Sequence, residues 1–179
     1  MASPISCLSI LIIPLLVTSL FYDVSNADWP LLEKVCKKTM DHDFCMSILL
    51  SDQDGHTNVL YILGIASTSI SLKIISDVSD EIENVLIGVT DPVDRNRISN
   101  CITGTDDIYK KMQLARNVAG TQSYVEKASL LTVAQQKITK CNNQFESPQQ
   151  HVSPISNHTS KLTKLINISS VIISMITSS

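Results

Sequence analysis

The sequence predicts an all-α fold: an up-down bundle of four long helices, preceded by an N-terminal helical hairpin and cross-linked by two disulfides. Three observations predict it. Four segments carry apolar residues at the three- and four-residue spacing that gathers them on one face of a helix. Glycine and proline number only five and six in 179 residues and aromatics make up 4%, a composition poor in strand and turn formers. Four cysteines, Cys36, Cys45, Cys101 and Cys141, remain once an apolar leader is set aside. In an exported chain an even count points to disulfides rather than to metal or thiol chemistry.

The leader comes first because disulfides persist only in an oxidising compartment. Residues 7–21 are almost wholly apolar, and Ser25-Asn26-Ala27 puts small residues at the two positions a signal peptidase reads. The prediction is a signal peptide over 1–27, cleaved after Ala27 and carrying Cys7 away. No Lys or Arg precedes the apolar run, and Pro14 interrupts it short of the roughly 20 clean apolar residues of a membrane span. Residues 28–179, 152 in all, then form a single domain large enough for a core. Asp23 leaves with the leader, so 14 basic side chains face 16 acidic ones. That balance lacks the basic stripe of a nucleic-acid binder. The expected partners therefore include no nucleic acid and, after cleavage, no membrane.

Residues 28–57 read as the hairpin and a loop, and 58–179 as the four-helix bundle. Two brief helical stretches over 31–50 flank a bend at 39–43, with Cys36 before it and Cys45 after it. Residues 52–57 form the loop. The segment 59–87 is a long helix with Leu63, Ile70, Ile74, Val78, Ile82 and Val85 as its stripe, ended by Gly88. Asp91-Pro92 starts the next: Asp caps free amides, and Pro takes the first helical position, where its missing N–H costs nothing. This helix should run to about Val118, and Ala119-Gly120-Thr121 breaks it. Residues 123–145 resume the pattern with Ala128, Leu131, Ala134, Ile138 and Cys141 on one side. Ser147-Pro148 and Ser153-Pro154 bracket a loop. Ser156 or Asn157 caps a last helix whose face is Leu162, Leu165, Ile166, Ile172, Ile173 and Ile176. Four cysteines allow three pairings. The hairpin brings the first two together, so the expected bridges are Cys36–Cys45 and Cys101–Cys141, the second joining two bundle helices.

Catalytic arrangements fail on spacing. His42, His56, His151 and His158 are scattered, none at the i, i+4 spacing with Glu of a zinc hydrolase helix, and no Cys-x2-Cys pair occurs. Asp52-x-Asp54-Gly55 imitates the start of a calcium loop, but its glycine falls too early and the twelfth position is Leu63. Asp77, Asp80, Glu81 and Glu83 read as a solvated helix flank, Asp106 and Asp107 point in different directions, and no serine sits in a Gly-x-Ser-x-Gly elbow. The expectation is a protein without catalytic, metal-binding or cofactor-binding residues. Two sequons, Asn157-His158-Thr159 and Asn167-Ile168-Ser169, are candidate glycosylation sites in an exported chain. Asn167 falls nearly opposite the last helix's apolar face. Residues 166–176 are too interrupted for a lipid-anchor tail, since Asn167, Ser169, Ser170 and Ser174 are assigned to the polar face.

Several fragments together resemble one family. Cys36 with Phe44-Cys45, then Ala128-Ser129-Leu130-Leu131-Thr132 with Cys141 and Phe145, then Ser153-Pro154-Ile155 leading to Leu162 and Leu165, are similar to the plant invertase and pectin methylesterase inhibitors. Leu63-Gly64-Ile65-Ala66 resembles the invertase-inhibitor-like branch that includes some pollen allergens. The resemblance implies a non-enzymatic, secreted inhibitor, foremost of a plant acid invertase (β-fructofuranosidase), that occludes the active site in a one-to-one complex. It leaves two alternatives: a pectin methylesterase inhibitor, or an allergen-like bundle without inhibitory activity. The implied location is the apoplast or cell wall, with the vacuole as alternative.

Two departures bear on the contact surface. Where the family commonly has Tyr four residues after the third cysteine, this chain has Thr105 behind Gly104. Where some invertase inhibitors place a Pro-Lys-Phe tripeptide that enters the enzyme's active site, the matching segment is Gln122-Ser123-Tyr124, which keeps only the aromatic. These three residues are the candidate target contacts.

Overall fold

A computed structural model describes residues 29–119, 123–146 and 152–178; the predicted signal peptide lies outside them. Among the described residues there are six α-helices, one 3₁₀ turn and no strand. The hairpin is α1 (Trp29–Cys36) and α2 (His42–Leu50), and the 3₁₀ turn Gln53–Gly55 follows. The bundle is α3 (Leu60–Gly88), α4 (Pro92–Ala119), α5 (Tyr124–Asn143) and α6 (Ser156–Thr177). At 1.5 Å per residue α3 spans about 43 Å.

Capping chemistry sets the ends of these elements. Phe44 N donates to Asp41 Oδ1 at 3.0 Å, which starts α2. Asp94 N donates to Asp91 Oδ1 at 2.8 Å, which starts α4 at the expected Asp-Pro pair. Arg95 Nη1 reaches back to the carbonyl of Leu86 (3.0 Å), which also accepts from Val89 N, and to that of Val89 (2.8 Å), tying the end of α3 to the start of α4. Gly55 in the acid-rich loop is required by close packing: a Cβ there would overlap the Leu49 carbonyl.

Topology follows from connection length. Residues 89–91 are the whole link between α3 and α4, so two packed helices of 29 and 28 residues must run antiparallel. Each bundle helix packs on its chain neighbours, and α6 closes the ring on α3, which is the up-down arrangement. The helices differ in how widely they are buried. On α4 the buried positions Ile98, Cys101, Thr105, Ile108, Met112 and Ala115 alternate by three and four, the narrow seam of a coiled coil. On α5 the seam is Lys127, Leu131, Ala134, Ile138 and Cys141. The expected stripe is thus corrected at its first member: Ala128 is exposed and Lys127 takes the interior position.

The wide faces are on α3 and α6, because each is covered twice. One apolar cluster lies inside the bundle, with Ile75, Ile82, Ile98, Met112, Ile138 and Leu165 among its members. A second lies under the hairpin, where Leu32, Val35 and Leu49 meet Leu63 and Ile70 of α3 and Ile168 and Ile172 of α6. This double cover explains a second correction. Ser169, assigned from sequence to the polar face, is 1% exposed, and Asn167 is half-buried. It also explains why α3 is long and apolar enough to cross a membrane while more than half of its most apolar window is buried inside the protein.

Both disulfides pair as the sequence predicts, with Cα–Cα distances of 5.4 Å for Cys36–Cys45 and 5.1 Å for Cys101–Cys141. Around the first, polar groups fasten the hairpin. Met40 N donates to Asn167 Oδ1 at 2.9 Å, and Lys164 Nζ pairs with Asp41 Oδ2 at 2.7 Å while lying 5.3 Å from the centre of the Phe44 ring. His42 joins Asp43 through Nδ1 at 3.0 Å and Glu33 through Nε2 at 2.9 Å. The Asp43 and Glu33 carboxylates hold His42 above its usual value, while His42 and Lys37 hold Glu33 below its own. Lys164 and the Phe44 amide hold Asp41 low.

Two outcomes follow from these cross-links. Closing the Cys101–Cys141 loop is worth about 4 kcal/mol in the chain-entropy model. Replacing both cysteines by Ser should therefore lower the melting temperature by roughly 10 °C or more in a calorimetric scan. For His42, a raised folded-state pKa means its contribution is complete below the unfolded value of 6.5 and disappears as pH rises through the folded value. Glu33 works in the opposite sense, complete above 4.5 and lost as pH falls through its lowered value. In urea titrations at a series of pH values, the stability difference between the wild type and His42→Asn should be largest between these limits and shrink toward pH 8.

Candidate functional site

The candidate contact segment lies where α4 turns into α5. Gln122 lies outside the described residues. Ser123 is at the N-cap of α5, where its carbonyl accepts from Lys127 N at 3.1 Å but its hydroxyl makes no capping bond. The Tyr124 ring is half-buried and packs against the bundle core. The side chain this end presents to solvent is instead Val125, 82% exposed, with Leu114 of the last turns of α4 at 48%. Tyr124 thus anchors the turn while Val125 offers apolar surface, a division the sequence comparison with the tripeptide did not separate.

Beneath this turn is the largest fully buried side chain, Lys127, 1% exposed. It crosses the interior to α3, where Nζ donates to Gly64 O at 3.1 Å. The same carbonyl accepts from Ser67 Oγ (3.1 Å) and Thr68 Oγ1 (2.8 Å). Burial alone pushes the Lys127 amine down to about 8. The signal for its position was present in the sequence, since 127, 131, 134, 138 and 141 continue one three-four alternation. Residue type concealed it, because an interior lysine breaks the rule that charge faces water.

A second surface lies along α5 and α6. A hollow of 730 Å³ among the hairpin turn, the end of α5 and the start of α6 includes Met40, Phe145, Val152 and Thr159. An adjoining one of 480 Å³ runs between α5 and α6 past Leu131, Gln135 and Asn167, and Met40 borders both. Apart from Glu146 the lining is apolar, hydroxyl or amide. Elsewhere, Gly104 opens a polar hollow of 430 Å³ beside the Cys101–Cys141 bridge. There Lys137 Nζ binds Asp107 Oδ2 at 2.7 Å and holds that carboxyl below its usual range. Thr105 is buried and donates to Cys101 O at 3.0 Å, so the family's tyrosine position is filled by a small residue turned to its own helix.

The remaining sequence candidates are not drawn together. Asp77, Asp80, Glu81 and Glu83 face solvent on α3, and Glu81 has His158 Nε2 at 3.6 Å and Lys161 Nζ at 4.0 Å. His42 is in the hairpin, His56 Nε2 lies 3.3 Å from Leu50 O, and His151 lies outside the described residues. Of the two sequons, Asn157 is exposed on the first turn of α6. Asn167 is half-buried, its carboxamide oxygen engaged by Met40 N.

A disulfide-bridged helical bundle with an exposed apolar turn and a long groove of mostly apolar, hydroxyl and amide side chains has the form of a protein that acts by docking on another. The chain belongs to the plant invertase/pectin methylesterase inhibitor family, whose model matches residues 30–172. Members of this family are inhibitors of enzymes, not enzymes. A relative named "Putative invertase inhibitor" from Platanus acerifolia is 24% identical over 152 residues, covering 82% of this chain and 84% of that protein. Among solved structures, mutant form A of a pectin methylesterase inhibitor from Arabidopsis superposes with a TM-score of 0.68 at 15% identity, over 80% of this chain and 95% of that one. A pectin methylesterase inhibitor from Arabidopsis thaliana gives 0.58 at 15% identity, over 80% and 94%.

The division of roles at the turn is measurable. Tyr124→Ala should cost about 2 kcal/mol in urea unfolding, because a half-buried ring leaves the core. Val125→Ala should change stability by less than about 0.5 kcal/mol.

Proposed function

We propose that this chain is a secreted inhibitor of a plant acid invertase, which it blocks in a one-to-one complex by inserting the α4–α5 turn into the enzyme's cleft. The supporting observation is the apolar Val125 and Leu114 held on a turn that Tyr124 anchors to the core. Such a probe is already ordered before binding, so docking loses little conformational entropy. The relative from Platanus acerifolia supports the same target class. In this reading the leader is removed after Ala27 in the export pathway, the protein acts in the apoplast or cell wall, and the sequon at exposed Asn157 and that at Asn167 are open to glycosylation.

A second reading, inhibition of a pectin methylesterase, has the α5–α6 face in its favour. There the two adjoining hollows and Met40, 61% exposed, form an elongated groove with Glu146 as its one charged lining residue among the described residues.

Purified, oxidised residues 28–179 tested side by side on an acid invertase and a pectin methylesterase at mildly acidic pH separate the readings. The first expects inhibition of invertase alone, weakened at least fivefold by Val125→Asp and unaffected by Gln135→Glu. The reverse pattern, on the esterase, establishes the second. Activity of both enzymes in the presence of folded, thiol-free protein overturns both.

A further inference from the structure

Lys127 lies three residues beyond Tyr124, inside the first turns of α5, and its side chain is as deeply buried as any leucine of the core. An ammonium has three hydrogens to donate. The acceptor it reaches, Gly64 O, is shared with two hydroxyls of α3. The elements packed around it bring no opposite charge. Residues 60–72 of α3 contain no titratable side chain but Tyr61, and residues 165–178 of α6 contain none. The last turns of α4 bring Tyr109, Lys110, Lys111 and Arg116. On α5 the neighbours are Tyr124 and the solvent-exposed Glu126. A charge desolvated in this way is relieved only by losing its proton or by regaining water.

Regaining water is structurally easy at this place. The first turn of α5 has no side-chain cap from Ser123 to reinforce its backbone bond and its packing, and release of one or two turns would bring Nζ to solvent. Helix ends of this kind open locally at a small fraction of the cost of global unfolding.

We infer that Lys127 makes the α4–α5 end of the bundle a proton-sensitive opening element: the charged ammonium drives brief separation of the first turns of α5 from α3, and the neutral amine lets that end stay shut. Its bearing on inhibition rests on the reading of the α4–α5 turn as the contact segment. The turn is then most adaptable in acid and most rigid in base. The direction follows from linkage. The open state, with a hydrated lysine, holds its proton up to about 10.5, whereas the closed state gives it up near 8. Opening is therefore constant below that lower value and falls several-fold by pH 9.5.

Amide hydrogen exchange on the intact, disulfide-bonded protein between pH 6.5 and 9.5, corrected for intrinsic rates, tests this. In the wild type, protection at residues 127–131 should rise with pH while residues 134–138 of the same helix stay level. In Lys127→Met, which keeps the aliphatic length without the charge, protection at 127–131 should be high and flat. A flat wild-type profile overturns the inference, and so does a rise spread equally over the whole of α5, which would tie the charge to global unfolding. The wild-type profile decides alone if the Met variant does not fold. Inhibition assays on the same samples separate the two layers: a wild type that inhibits neither enzyme removes the contact reading, while the exchange profile still judges the opening element.

Discussion

The bundle depends on the seam between α4 and α5, the most extensive helix pairing among the described residues. The buried faces of α4 and α5 include Thr105 and Lys127 as well as the two cysteines. The Cys101–Cys141 bond makes this pairing permanent, and the other packing assumes that alignment. With α4 and α5 fixed in register, α3 and α6 close against them with the broader faces that bury Ile75, Ile82, Leu165 and Ile166. Arg97, buried and paired with Asp94 at 3.2 Å, also lies 5.7 Å from the centre of the Phe145 ring, extending the join beyond the bridge.

The two candidate contact surfaces are by-products of how the helices end. Where α4 turns into α5, an inward aromatic leaves its outward neighbour Val125 projecting. Where α5 diverges from α6, the hairpin turn leans over the gap and sets Met40 at its rim. Neither surface involves a reactive group; the α4–α5 turn is held by the packing of Tyr124, and the Cys101–Cys141 bridge lies at the opposite end of the two helices.

Much of the fold was legible in the residues. Three-four spacing located all four bundle helices, Asp91-Pro92 marked the start of α4 to the residue, and the cysteine positions gave both bridges. What escaped depended on tertiary cover that no single segment records. Ser169 and Asn167 lie on what is the outer face of an isolated helix, and only the docking of α1 and α2 across it turns one inward and half-buries the other. Lys127 escaped for a different reason: spacing pointed to it, but residue type outweighed spacing in favour of Ala128. At the candidate site, the inward placement of Tyr124 was not legible, because it is set by packing against helices distant in sequence.

Helix α6 is the common wall of both apolar clusters, facing α3 and α5 on one side and the hairpin on the other. It also follows every other helix in chain order. During vectorial synthesis, then, neither cluster can be sealed by the segments that emerge earlier, and Leu32, Leu63 and Ile75 stay wet until residues 156–177 arrive. The cysteine pairs, by contrast, are complete once Cys141 has passed. The oxidative steps can thus precede final collapse, with α6 entering a framework whose covalent links are already drawn.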